Sequence, residues 1–129
     1  MSRIAISAWF AALSWLAPLL VGCGGPPTSK VPESAQRLLD AKASIAAGDT
    51  AAALASLQAS IDAEPTTWAY VERAKINAKQ GNDQAALDDC DAILKLQPES
   101  TLVPWIRAEL KKPAAKRFAD GEEAPVVKK

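Results

Sequence analysis

The feature that most constrains this chain is an internal repeat with a period of 33 residues. A third, partial copy occurs at a period of 34, where Arg73-Ala74 recurs as Arg107-Ala108. Repeats of this length indicate supersecondary units that stack on one another, because one unit alone cannot bury its apolar face. The matched pairs are Gly48 and Gly81, Ala41 and Ala74, Ala53 and Ala86, Leu54 and Leu87, Ile61 and Leu94, and Pro65 and Pro98.

Each copy has the same order of helix, glycine, helix and proline. Gly48 and Gly81 can adopt the left-handed conformation that closes a helix at its C-terminal end. Pro65 and Pro98 end the second helix of each pair, because proline lacks the N–H that a helix interior requires. The pattern predicts an all-α fold with helices over about 32–47, 50–64, 67–80, 83–97 and 101–112.

Over roughly residues 33–112 the chain resembles the tetratricopeptide-repeat (TPR) family. The resemblance implies a short right-handed stack of helix-turn-helix TPR hairpins, with two repeats and a C-terminal capping helix. Arg37, Ser44 and Asn77 depart from the family pattern, at positions where aromatic residues are preferred, and a generic helical bundle is the alternative. The residues that carry the resemblance are Tyr70, Arg73, Ala74, Gly81, Ala86 and Pro98.

In TPR proteins the first helix of each hairpin lines a concave groove that holds a peptide. The resemblance therefore implies an apolar floor with three ammonium groups, suited to a ligand with apolar side chains and an acidic group. The alternative is that the lysines are simply solvated and the tryptophans seal the stack. The groove residues carried over by position are Leu38, Lys42, Ile45, Trp68, Val71, Lys75, Ala78, Lys79 and Trp105.

The N-terminus has a second pattern, an apolar run over residues 4–20 that comes after the basic Arg3 and is typical of a secretory signal peptide. Leu20-Val21-Gly22-Cys23 resembles the lipobox of bacterial lipoproteins. The resemblance implies removal of residues 1–22 and attachment of acyl chains such as palmitate to Cys23. Gly24 stands where an aspartate would favour the inner membrane, so the outer membrane facing the periplasm is favoured if two membranes are present. The alternatives are a secreted protein cut nearby and an uncut signal anchor.

Four segments are predicted: a signal peptide over 1–22, a lipid-anchored flexible tether over 23–32, the helical domain over 33–112 and a mobile charged tail over 113–129.

Removal of residues 1–22 takes one of the 15 basic residues and none of the 15 acidic ones, which leaves a formal charge near −1. So balanced a surface argues against nucleic acid as a partner.

Composition also argues against catalysis and metal binding. The chain contains no histidine, the commonest general base and metal ligand. Asp83, Asp88, Asp89 and Asp91 suggest calcium, but they lie on a predicted helix without the loop glycine and terminal glutamate of an EF-hand. A solvated acidic face is therefore predicted for them, and a buried core position for Cys90. We expect no catalytic residue, metal or cofactor.

These inferences together predict a lipid-anchored, non-catalytic protein of the cell envelope. Its partners would be the membrane, through the lipid on Cys23, and another protein or peptide in the groove. The role would be that of a protein-protein interaction module or assembly scaffold. An accessory lipoprotein subunit of an outer-membrane assembly, secretin or pilus machine is one alternative, and a carboxylate-dependent envelope hydrolase is a more remote one. A homo-oligomer also stays open, because two and a half repeats are few for a stable stack.

The lipobox interpretation predicts that Cys23→Ser abolishes lipid attachment, because serine has no thiol from which a thioether can form. Metabolic labelling with a clickable palmitate analogue in a bacterial host measures the attachment. Cys90→Ser is the matched control and should retain the label. Undiminished labelling of the Cys23→Ser protein would contradict the prediction.

Overall fold

The computed structural model describes residues 30–119 and 124–125. Within these ranges the protein is all-helical and contains no strand. The helices are α1 Glu33–Ala46, α2 Thr50–Ala63, α3 Thr67–Lys79, α4 Asp83–Leu96, α5 Leu102–Leu110 and a 3₁₀ turn at Ala114–Lys116. Each α-helix agrees with its predicted bounds to within one or two residues. Cys23 and the predicted signal peptide lie outside the described residues.

Glycine and short polar residues end and begin the helices, as the repeat pattern predicts. Gly48 and Gly81 have φ values of 76° and 79°, which a residue with a side chain rarely adopts. The Asp49 carboxylate accepts a hydrogen bond of 3.0 Å from the Ala52 amide at the start of α2. These contacts satisfy backbone groups that a helix leaves unpaired at its ends.

Consecutive helices pack against each other as a short stack of hairpins. Helices α1 and α2 form the first hairpin, α3 and α4 form the second, and α5 packs against both helices of the second. The two hairpins meet where α2 contacts α3. Small residues at the repeat positions allow this close approach, since the side chains of Ala41, Ala53, Ala74 and Ala86 are all 0% exposed.

Helix α3 belongs to two apolar clusters at once. Ala69 and Ile76 on one side of α3 join the cluster formed with α1 and α2. Val71, Ala74 and Ala78 on another side join the cluster formed with α4 and α5. Because helical residues advance by about 100° each, the side that carries Trp68 and Lys79 is left between these two packed sides.

The described part of the chain contains no helix long and apolar enough to cross a bilayer.

The remaining side of α3 carries a polar cluster that links three helices. The Arg73 guanidinium lies between Asp89 of α4 and Gln58 of α2 and donates hydrogen bonds to both side chains. The distance from Arg73 Nη2 to Asp89 Oδ1 is 2.6 Å. Asp89 is 1% exposed, so the prediction of a solvated acidic face is wrong at this residue. Burial raises the pKa of the Asp89 carboxyl group, and the hydrogen bond from Arg73 offsets part of that rise. We assign this arginine–aspartate pair the structural role of holding α4 against α3.

The segment that comes after α5 also differs from the sequence-based expectation. Residues 113–129 are predicted to form a mobile charged tail, yet Arg117 is 8% exposed and Phe118 is 5% exposed. Phe118 is part of the apolar cluster of α3, α4 and α5. The tail assignment is therefore corrected for residues 113–119, which pack against the helices.

The buried thiol of Cys90 generates a testable prediction. Cys90 is 0% exposed, as predicted, and burial raises the pKa of its thiol from 9.0 to about 11. Between these values the unfolded chain releases the thiol proton while the folded chain keeps it. The free energy of unfolding should therefore fall as pH rises from 9 to 11, by up to about 1.4 kcal/mol per pH unit.

Urea unfolding of residues 23–129 carrying Cys23→Ser, at pH 8 and at pH 10.5, measures this loss. Other groups also titrate in this range, so the quantity of interest is the difference from the same protein with Cys90→Ala. That variant should lose less stability on the same change of pH. An identical loss in both proteins would refute the assignment to Cys90.

Candidate functional site

The candidate site is the cleft between α1 and α3, the first helices of the two hairpins. Both helices pack on α2, and two pockets lie between them, one near each end of the cleft. Six of the predicted groove residues lie on the cleft sides of these helices, and we call this surface the groove. The six are Leu38, Lys42, Ile45, Trp68, Lys75 and Lys79.

The first pocket lies at the N-terminal ends of α1 and α3 and is mostly apolar. Its volume is ≈ 220 Å³, and Pro32, Leu38 and Trp68 contribute its apolar surface. The Trp68 side chain is 54% exposed. It lies two residues after the N-cap Thr66, whose hydroxyl accepts a 3.3 Å hydrogen bond from the Ala69 amide and so determines where α3 begins. We call this part the apolar end of the groove.

The second pocket lies at the C-terminal ends of the same two helices. Its volume is ≈ 250 Å³, and its lining includes Ile45, Ile76 and Lys79. Ile45 is 38% exposed. Lys79 lines this pocket, and Lys42 lies about one helical turn before Ile45 on α1. Neither lysine forms an ion pair with any residue that the structure describes. We call this part the cationic end of the groove.

Lys75 differs from the other two lysines, because Glu72 lies beside it. The Lys75 ammonium is 3.2 Å from a carboxylate oxygen of Glu72, three residues earlier on the same helix. The sequence-based reasoning did not include Glu72, although an i, i+3 pair of opposite charges on a helix is a readable signal. The predicted set of three ammonium groups therefore includes one that is already neutralised.

Val71, Ala78 and Trp105 do not join the groove. Val71 is 1% exposed and Ala78 is 0% exposed, and both pack in the apolar cluster of α3, α4 and α5, so their side chains offer no surface to a partner. Trp105 is half-buried and meets Phe118 edge to face, with ring centroids 5.1 Å apart. Positional transfer from the family pattern missed this contact, because it could not include the contribution of residues 113–119.

The two ends of the groove differ in chemistry and lie far apart. The apolar and cationic ends are separated by the eleven residue steps from Trp68 to Lys79, which is about 16 Å along a helix. The described residues hold no group of three or more cysteine or carboxylate side chains that could bind a metal ion. The buried carboxylates of Asp89 and Glu109 are each engaged by a basic side chain, Arg73 and Lys112 respectively.

Comparisons with protein-family models, with curated proteins and with solved structures give no match. The TPR and lipobox resemblances therefore stay predictions, and the all-helical hairpin stack is what the structure shows.

The different surroundings of Trp68 and Trp105 predict different access to solvent. In a shortened chain of residues 23–129, Trp105→Phe leaves Trp68 as the only tryptophan, and Trp68→Phe leaves Trp105. Acrylamide should quench the fluorescence of Trp68 strongly and that of Trp105 several-fold less, because Phe118 and the apolar cluster shield the second indole. Equal Stern–Volmer constants in the two variants would contradict this placement.

Proposed function

We propose that this protein is a lipid-anchored TPR-like module of the bacterial cell envelope that binds another protein or peptide in the groove between α1 and α3. The observation that carries the proposal is the exposed Trp68 beside the apolar pocket. Single exposed apolar side chains are common on protein surfaces. An exposed tryptophan next to a preformed apolar pocket is more informative, because such anchors dominate the binding energy of interfaces.

The charge distribution of the groove supports a ligand with a defined direction. The ligand would place an apolar side chain at the Trp68 end and an acidic group near Lys42 and Lys79. The two features lie about 16 Å apart, a distance spanned by about five residues of extended chain or about eleven residues of helix. An amphipathic acidic segment of another protein fits this requirement.

The expected strength of such binding is modest. Burial of one large apolar side chain contributes about 2 kcal/mol, and exposed ion pairs with the two lysines add about 0 to 1 kcal/mol each. A membrane anchor would compensate for weak contacts. Confining both partners to one membrane raises their effective concentration, so that a weak contact can still be occupied.

The anchor itself is proposed on the residues of the N-terminal pattern. Lipid on Cys23 would hold the domain through a tether that ends at Pro32, and Pro32 lines the apolar pocket. Nine residues, 24–32, reach at most about 30 Å when extended. The groove would therefore operate close to the membrane surface, with its apolar end nearest to the attachment point.

Photocrosslinking in intact cells tests the groove. A photoreactive amino acid at Ile45 should yield a defined crosslinked product, because Ile45 is exposed inside the groove. Adding Trp68→Ala and Lys79→Glu should weaken binding about 30-fold, the equivalent of losing about 2 kcal/mol of binding energy, and should therefore reduce the yield. One stoichiometric membrane complex in the product would indicate a machine subunit, and several partners would indicate a general scaffold.

The matched control carries Leu96→Ala and Lys95→Glu, which make the same kinds of change on α4. Leu96 is 47% exposed and Lys95 is also exposed, and neither lies in a groove pocket. The control should keep the crosslink, and circular dichroism should show equal helicity in both variants. Equal yields from the two variants, or no product at all, would count against the groove as the binding site.

A further inference from the structure

A third pocket adjoins the cationic end of the groove, where residues 113–119 pack at the C-terminal end of α3. Its volume is ≈ 420 Å³. A hydrogen bond of 2.8 Å from the Arg117 guanidinium to the Ala78 carbonyl oxygen holds these two segments together. We call this cavity the terminal pocket, and it is lined by Lys79, Ala114, Ala115, Arg117, Phe118 and Ala119.

Two buried side chains fix the wall of the terminal pocket. Arg117 donates hydrogen bonds to the carbonyl oxygens of Ala78 at the end of α3 and Leu110 at the end of α5. Phe118 packs in the apolar cluster of α3, α4 and α5. Because these contacts lie within the chain itself, the surface is formed before a ligand arrives, and binding costs little entropy in ordering it.

Lys79 joins the terminal pocket to the groove, because it lines both this pocket and the pocket at the cationic end. A lysine in the last turn of a helix is also favoured by the helix dipole. Lys79 differs from that common case, since it is exposed between two cavities and forms no ion pair within the described ranges. A ligand in the groove therefore meets a second cavity directly beyond the ammonium group.

The charge of these two pockets favours an acidic ligand. Lys79 and Arg117 are the charged residues that line them, and no aspartate or glutamate of the described chain does so. The carboxylate of Asp83 already pairs with the Arg117 guanidinium, so the attraction for an anionic group comes from Lys79. Lys116 adds an exposed positive charge in the turn that forms the pocket wall.

The remainder of the terminal pocket suits a small apolar side chain. Ala114, Ala115 and Ala119 line it with side chains no longer than a methyl group, and Ala115 and Ala119 are exposed. On the other side of Lys79, the lining of the cationic end includes Ile45 and Ile76. The ammonium group therefore lies between two surfaces that both contain apolar groups.

We propose that a ligand held in the groove continues past Lys79 into the terminal pocket, so that its acidic group lies within the bound segment. This inference rests on the proposed function and defines the ligand class more closely. The ligand is a protein segment with an aspartate or glutamate between two apolar residues, one against Ile45 and the other against Ala115. A ligand that ends in a carboxylate at Lys79 would leave the terminal pocket unused.

Photocrosslinking of the full chain in intact cells tests this path. A photoreactive amino acid at Ala115 should capture the same partner as one at Ile45, because both positions are exposed and line pockets that share Lys79. Mass spectrometry should place both crosslinks on one segment of that partner, with an aspartate or glutamate between them. The control position is Ala55, an exposed alanine of α2 that lines none of the three pockets, and it should not capture the partner.

A charge variant tests the chemistry of the terminal pocket. Ala115→Asp adds a carboxylate to the pocket that Lys79 lines, where it would pair with the ammonium group and repel the acidic group of the ligand. It should weaken binding about threefold, as expected for exposed charges, and so lower the yield of the crosslink from position 45. Ala55→Asp makes the same change on α2 and should leave that yield unchanged, with equal helicity in both variants by circular dichroism.

The outcomes separate this inference from the proposed function. No product from position 45 would overturn both. A product from position 45 with none from Ala115, a different partner at Ala115, or equal yields from the two aspartate variants would overturn the extended path alone. So would crosslinks without an acidic residue between them. Crosslinks from Ala115 to residues 120–129 of the same chain, or to a second copy, would also overturn it, because the occupant would then be this chain itself.

Discussion

The packing of α3 on both of its neighbours is the constraint on which the rest of the structure depends. Ala69 and Ile76 bind it to the first hairpin, and Val71 and Ala78 bind it to α4 and α5. A third side holds Arg73 between α2 and α4. Once three sides of a helix are committed in this way, the fourth side is determined, and it is the side that forms the groove with α1.

The groove and the packing of residues 113–119 both follow from the shortness of the stack. Helices α1 and α3 both pack on α2, and the cleft that remains between them has an apolar end and a cationic end. At the C-terminal ends of α3 and α5, residues 113–119 return against the helices, and Phe118 packs beside Trp105. In both places an apolar surface is left by a short stack, because repeated hairpins bury their faces only against neighbours. One of these surfaces is covered by Phe118, and the other carries Trp68 in contact with solvent.

The parts of the molecule that sequence reasoning predicted well depend on local signals. Gly48, Gly81 and the prolines act within one turn of chain, so the helix bounds could be derived from them. Cys90 was placed in the core from the register of the repeat. Asp89 and Arg117 were not placed correctly, because their burial depends on partners 16 residues away in one case and 39 in the other. A charged residue on a predicted helix is expected to face solvent unless the group that binds it is known.

The sequence by itself determined the order, length and ends of the helices, since these depend on backbone conformation and on residues close along the chain. It also determined the pattern at Cys23, on which the proposed anchor depends. The tertiary structure decided which groove residues face solvent, how Arg73 and Asp89 are buried together, and where residues 113–119 pack. Those outcomes depend on the angles and distances between helices, which are determined only when side chains distant in sequence fill the same space.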